Sequence, residues 1–402
     1  MKFNNVANRP VNPSQRYVIL DVLRGIALLG ICLANYPEFS LYTFQERAIV
    51  EAMPTAAIDR IWRYFHYIFI DGKFYTIFSI LFGIGFSIII SNLAQKGQRG
   101  FSVFYRRMAF LALFGILHML MLWAGDILLL YALIGMTLPL FWKVSNKKLL
   151  IISAILLFFP IVADTFKVLT AHHFTLMIPV EKALQFFNAK NGINNDNFSV
   201  WLLEGKTYSD VLKFNLSGFF IRCQEFIEDN RAFKVMGLFL FGLYIGRNRL
   251  YARLNDYADI LKKIRYYGFI AGLPMSCLFA WNAMNGRPLG LIAGSAIYAL
   301  SVVPVSLAYV STFCLYHDKF VFFVAPGRMA LTNYIAQSAI GMFIFYGIGF
   351  ELALKYGLVY VEMIAAGVFV LQVLCCNMWL RYFRFGPLER IWRMLTYKKI
   401  SL

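Results

Sequence analysis

Arg16-Tyr-Val-Ile-Leu-Asp21-Val-Leu-Arg24-Gly25 opens an apolar run that continues to Asn35, and it sets a carboxylate and a guanidinium inside the start of that run. Charges in hydrocarbon are costly, so a lipid-facing helix gains nothing from Asp21 and Arg24; they pair with each other or point into a protein-lined cavity. Arg24 and Asn35 are separated by about three helical turns, about 16 Å along the axis, and share a face on which Asp21 also lies. A helix lining a route through a protein carries such a polar stripe. An Asp–Arg pair that only orders a helix bundle would use the same residues.

The rest of the chain makes this run a membrane span. Of the 402 residues 60% are hydrophobic and 17% aromatic, and the mean hydropathy is +0.62; soluble domains hold roughly 45–50% apolar residues. Several runs approach or exceed the roughly 20 residues that cross a bilayer as a helix, whereas barrel strands would be short and alternating. The expected fold is all-α, a polytopic transmembrane helix bundle of about ten spans. These lie near 18–36, 68–92, 107–124, 127–142, 149–170, 233–246, 266–283, 289–313, 329–349 and 358–380. Asp71 and Lys73 fall inside the second, so it starts deeper or follows an interfacial helix that holds Trp62, Arg63 and His66.

The net charge of +18 would point to nucleic acid in a soluble protein. Here the basic residues fall in alternate connections: before the first span, after the second (Lys96 to Arg107), after the fourth (Lys143 to Lys148), and after the tenth (Arg381 to Lys399). The positive-inside rule then puts both termini in the cytoplasm, with membrane lipid rather than nucleic acid as the surrounding partner. The organisation is an amino-terminal segment 1–17, a transmembrane domain 18–380 and a basic tail 381–402. Within the domain, 171–232 is an external connection whose stretches 180–187 and 211–220 have apolar residues at amphipathic-helix spacing. Of the six cysteines only Cys223 is external, so no disulfide framework is implied. The first run lacks a small-residue cleavage site and reads as a retained span.

Polar residues inside the spans are the candidates for chemistry. His66 is placed to act as a general base with Asp71 and Lys73 near it, or to sit in an aromatic belt with Trp62, Tyr64 and Tyr67. His118, within the third span, needs a buried partner; it either faces the cavity of Arg24 and Asn35 or cross-links two helices. Asn333 and Gln337 are four residues apart on one helical face, where they bind a ligand or bridge neighbouring helices. No metal is expected, because His172-His173 alone lacks the further ligands that zinc requires.

These residues recur in a pattern that resembles the YeiB family of bacterial inner-membrane proteins. It is carried by Arg16 to Gly25 with Asn35, by Leu117-His118 with Gly125-Asp126-Ile127-Leu128 and Tyr131, by Phe241-Gly-Leu-Tyr-Ile-Gly-Arg247, and by Gly327-Arg328-Met-Ala-Leu-Thr-Asn333-Tyr-Ile-Ala-Gln337. A last element runs from Trp379 through Gly386-Pro387-Leu-Glu389 to Arg393. More remotely the chain is similar to transmembrane acyltransferases, among them the lysosomal enzyme that acetylates the terminal glucosamine of heparan. That similarity implies a bacterial cytoplasmic-membrane enzyme that takes an acyl group, acetyl first, from cytosolic acyl-CoA to a hydroxyl or amine of an external glycan or small molecule. The Asp21-x-x-Arg24-Gly25 element matches the superfamily's first helix. The O-acyltransferase branch has a histidine where this chain has Asn35, and the glucosamine branch takes its histidine from the following segment, where His66 stands.

On that basis His66, then His118, is the expected base, and Asn35 and Asn333 the groups that hold the thioester and its oxyanion. Asp21, Arg24, Arg106, Arg107 and Arg328, with Asn333 and Gln337, form the expected acyl-CoA site, its cations meeting the phosphates. A homodimer is compatible with the sequence. The alternative is a transporter or permease that moves a small polar or lipid-linked molecule along the same stripe.

Overall fold

The computed structural model describes residues 17–95, 100–170 and 177–397. Arg16, the His172-His173 pair, Lys96, Arg99 and the last basic residues fall outside them. All regular structure among the described residues is helical. Helix α1 (Val18–Phe39) is mostly buried, and mostly apolar apart from the polar side chains Asp21, Arg24, Asn35 and Glu38. It packs against seven other elements from both halves of the chain, and 61% of its apolar stretch is buried, the highest share among the six long apolar segments.

After a short α2 (Arg47–Glu51), the amphipathic α3 (Ala56–Phe69) bends at Ile70–Gly72 into α4 (Lys73–Gln95). The expected second span is thus a bent pair. α5 (Gly100–Met121) and α7 (Asn146–Leu169) are long; the segment expected to span at 127–142 is not. It forms only α6 (Leu128–Gly135) and a 3-10 turn at Leu138–Phe141. Eight residues of α-helix rise about 12 Å against a hydrocarbon core of about 30 Å. Thr137-Leu-Pro139 ends the helix there, since proline removes a donor and disfavours an α conformation before it.

The connection expected to be external is folded over its described residues 177–232. It forms α8 (Ile178–Asn191), two single turns α9 (Asn195–Phe198) and α10 (Trp201–Glu204), and α11 (Tyr208–Glu228), whose Thr207 and Asp210 make a reciprocal capping box. Both amphipathic stretches expected in the sequence lie within helices, α8 and α11. α11 is held to the α5–α6 turn by Tyr208, Asn215 and Arg222, which donate to the carbonyls of Met121, Leu120 and Ala124.

α12 (Arg231–Arg247) packs on α4 at backbone contact: a Cβ on Gly83 would lie 2.1 Å from the Phe239 carbonyl oxygen, and one on Gly242 2.1 Å from that of Ile80. Small residues permit such approach between membrane helices. α13 (Ala258–Met284) and α14 (Gly290–Leu315) form a long antiparallel pair. α15 (Val324–Arg328), α16 (Ala330–Phe345), α17 (Leu358–Tyr382) and α18 (Pro387–Tyr397) complete the chain. Every expected span contains helix, but six segments are both long and apolar enough to cross a membrane, fewer than the ten expected. The others are α6, the 17-residue α12, the 16-residue α16 and the more polar α13.

Candidate functional site

Asp21 is 2% exposed and accepts from Arg24 Nη1 at 2.9 Å, so the two charges pair within α1. Arg24 keeps 29% of its side chain open. One residue on, Gly25 meets the residue that precedes α15: its Cβ would lie 2.1 Å from the Phe323 carbonyl oxygen, while a Cβ on Gly327 would lie 1.9 Å from that of Asp21. The two glycines therefore bring Arg24 and Arg328 to one end of the bundle. Both arginines line a single cavity of about 1180 Å³.

α18 closes that end. Glu389 accepts from the Leu331 and Thr332 amides at 2.7 and 3.1 Å and from Thr332 Oγ1 at 2.6 Å, so it caps α16. Trp392 donates to the Arg107 carbonyl at 3.0 Å and takes the Arg107 guanidinium on its ring at 3.5 Å. Arg106 points elsewhere, to the Thr396 carbonyl at 3.1 Å, and does not line the cavity. Arg24, Arg107, Arg328, Arg384 and Arg393 all do. The carboxylates among them, Asp21 and Glu389, are already hydrogen-bonded, which leaves an electropositive mouth.

The cavity follows α1 from Asp21 past Asn35 to Glu38, about 26 Å of helix. Its middle is walled by aromatic side chains, including Phe78, Phe82, Tyr131 and Tyr334. The far end holds His66, Asp71, Arg63, Arg231 and Lys234. His66 approaches from α3, its Nε2 3.3 Å from the Leu33 carbonyl oxygen and 3.7 Å from Glu362 Oε1. It therefore stands at the level of Leu33, about 14 Å along α1 from Arg24. Lys73 is fully buried and donates to the Tyr67 carbonyl at 2.7 Å, off the cavity.

The structure separates His118 from this group. Its Nδ1 is 2.9 Å from Asp126 Oδ1 and its Nε2 2.8 Å from Ser338 Oγ, and the ring is wholly buried. Asp126 Oδ2 accepts from the Leu129 amide at 2.7 Å, so this chain ties α5, the α6 start and α16 together. Asn333 bonds the Pro326 carbonyl and Cys376; Gln337 donates to Gln372, which returns a bond to the Asn333 carbonyl. These two amides bridge α16 to α17 and do not line the cavity.

Thus Asp21, Arg24, Asn35, His66, Arg107 and Arg328 share one cavity, while Arg106, His118, Asn333 and Gln337 support its walls. Sequence reasoning missed Arg384, Arg393 and Glu362 as site residues. Glu362 had a signal: it is the one carboxylate in the apolar run from Leu358 to Leu380. Among the described residues no three His, Cys, Asp or Glu side chains converge as metal ligands would.

A helical, multi-pass membrane protein with a polar cavity reaching toward both ends is the class these features define. Residues 245–399 match the family described as protein of unknown function, DUF418. The chain is 29% identical over 412 residues to the uncharacterized protein YxaH of Bacillus subtilis, covering 97% of this chain and 96% of that one. It is 27% identical over 413 residues to the uncharacterized protein YeiB of Escherichia coli, covering 95% and 96%. An uncharacterized 39.9 kDa protein of Bacillus acidopullulyticus is 28% identical over 395 residues. The similarity to these three proteins runs along nearly the whole chain, whereas the family model covers its carboxy-terminal 245–399. No solved structure matches it.

Proposed function

We propose that the protein is a membrane acyltransferase of the bacterial cytoplasmic membrane that uses cytosolic acyl-CoA, acetyl-CoA first, to acylate a hydroxyl or amine on an external glycan or small molecule. The observation that carries this reading is the cavity's polarity: five arginines at one mouth and a histidine about 14 Å further along α1. Phosphates of CoA meet Arg24, Arg107, Arg328, Arg384 and Arg393 as charge-assisted bonds. The pantetheine arm extends through the aromatic middle and delivers the thioester to Asn35 and His66. There His66 takes the acceptor's proton, the acceptor oxygen or nitrogen bonds the acyl carbon, the C–S bond breaks, and the proton passes to the departing thiolate. Asn35 is the donor nearest in sequence to Leu33 for the oxyanion. The positive-inside rule places the arginine mouth in the cytoplasm, where acyl-CoA is.

Isothermal titration of purified protein in nanodiscs with acetyl-CoA tests the donor site. Saturable binding that weakens about tenfold or more in Arg24→Ala and in Arg107→Ala is expected. Absence of saturable binding by acetyl-CoA or longer acyl-CoAs contradicts the reading. It would move the transporter alternative forward, since a cavity bordered by charge at both ends also suits a solute path.

A further inference from the structure

α3 presents Asp59, Trp62 and His66 on one face, at spacings of three and four residues, and that face meets α17. Asp59 is fully buried and holds the register, accepting from the Val359 amide at 2.9 Å and from Thr55 Oγ1 at 2.7 Å. Glu362 follows one turn along α17. It is 2% exposed, and neither carboxylate oxygen has a hydrogen bond of ordinary geometry. The Trp62 indole N–H, buried on the facing helix, is likewise without a hydrogen bond of ordinary geometry. His66 Nε2 stands 3.7 Å from Glu362 Oε1. The buried Glu362 carboxyl therefore stands beside the His66 ring across the contact of α3 with α17. A carboxyl group buried this way inside a membrane protein is costly to keep and is a candidate for function.

We propose that Glu362 is the positioning residue for His66. The inference rests on the acyltransferase reading above. The Leu33 carbonyl can only accept, and Glu362 offers a second acceptor on the same side of the ring, so the hydrogen of neutral His66 sits on Nε2. Nδ1 then carries the lone pair on the side of the ring away from both acceptors. During transfer the acceptor's proton goes to Nδ1, the new bond forms at the acyl carbon, the thioester C–S bond breaks, and CoA leaves as the thiol after collecting that proton. Glu362 takes no proton and touches no substrate. It fixes the ring and stabilises the imidazolium through Nε2–H, as a carboxylate behind a catalytic imidazole does.

The test uses the full chain in nanodiscs labelled with 15N-histidine, the His66 signal being assigned by its loss in His66→Gln. Wild type is expected to show the Nε2–H tautomer. Glu362→Leu, which keeps bulk but offers no acceptor, should show a raised share of the Nδ1–H tautomer although the Leu33 carbonyl remains, while Glu362→Gln keeps the Nε2–H form. For acyl transfer, Glu362→Gln should lose about 10²-fold in kcat with KM for acetyl-CoA unchanged, since charge behind the ring is removed without touching the donor site. Unchanged His66 tautomers in Glu362→Leu, or an Nδ1–H form in wild type, would overturn the proposal. The spectroscopic readout is independent of turnover: tautomers that respond to Glu362 in a protein that consumes no acyl-CoA would uphold the pairing and sink the acyltransferase reading alone.

Discussion

Gly25 of α1 and Gly327 of α15 lie where the backbones of α1 and of the 323–328 segment meet, with no room for a methyl group. The contact explains why the Asp21-x-x-Arg24-Gly25 and Pro326-Gly327-Arg328 elements need glycine beside arginine: only there do two guanidinium-bearing backbones meet at one mouth. Gly25→Ala and Gly327→Ala should each destabilise the fold by about 1–3 kcal/mol, because the added carbon meets backbone that cannot rotate away. Gly367→Ala, where nothing lies within 4 Å, is the control and should leave thermal unfolding in detergent unchanged.

Glu389 joins the carboxy-terminal helix to the start of α16 through three hydrogen bonds. Glu389→Ala removes a cap and leaves Thr332 and two amides without it, costing roughly 1–2 kcal/mol. The measurable consequence is local. Hydrogen exchange should rise over residues 329–333 and 387–397 while α13 and α14 keep their protection, and a uniform rise would contradict the capping role.

His118 is bonded at both ring nitrogens, and Asp126 loses its charged or donor partner when the ring is removed. His118→Ala should therefore destabilise strongly, by about 3–5 kcal/mol if Asp126 stays ionised. Ser338→Ala should cost less, about 1 kcal/mol, as one neutral hydrogen bond. Chemical denaturation of the two variants side by side checks the order. A His118→Ala protein of wild-type stability would show that the network does not hold the bundle.

The arginine mouth is proposed to face the cytoplasm, and the basic tail 381–402 with it. A carboxy-terminal green fluorescent protein fusion should fluoresce in intact bacteria, and an alkaline phosphatase fusion at the same point should be inactive. The reverse pattern would place the donor site on the wrong side of the membrane for acyl-CoA.

Much of this architecture was legible from residues alone, for identifiable reasons. Asp21, Arg24 and Asn35 left two readings open, an Asp–Arg pair and a cavity lining, and the structure shows both: the charges pair within α1, and all three residues line the cavity. The amphipathic stretches near 180–187 and 211–220 announced α8 and α11 by spacing. Span lengths were less legible, because hydropathy registers 127–142 as continuous whereas Pro139 and the tight turn at Asp126 shorten the helix to Leu128–Gly135. His118 and the pair Asn333 and Gln337 could not be assigned to cavity or wall, since facing depends on partners 220, 43 and 35 residues distant in the chain. Glu362 was passed over because its partner, His66, lies nearly 300 residues away and no local pattern links them.

Transfer of an acyl group from CoA with His66 as base is the central proposal. The most direct measurement is consumption of radiolabelled acetyl-CoA by purified protein in nanodiscs, with free thiol release followed in parallel, for wild type, His66→Ala and His118→Ala of matched folded fraction. The account predicts thiol release in wild type, loss of about 10²-fold or more in His66→Ala, and turnover retained per folded molecule in His118→Ala. Turnover that survives in His66→Ala, or no thiol release from wild type with acetyl-CoA or longer acyl-CoAs, would contradict it.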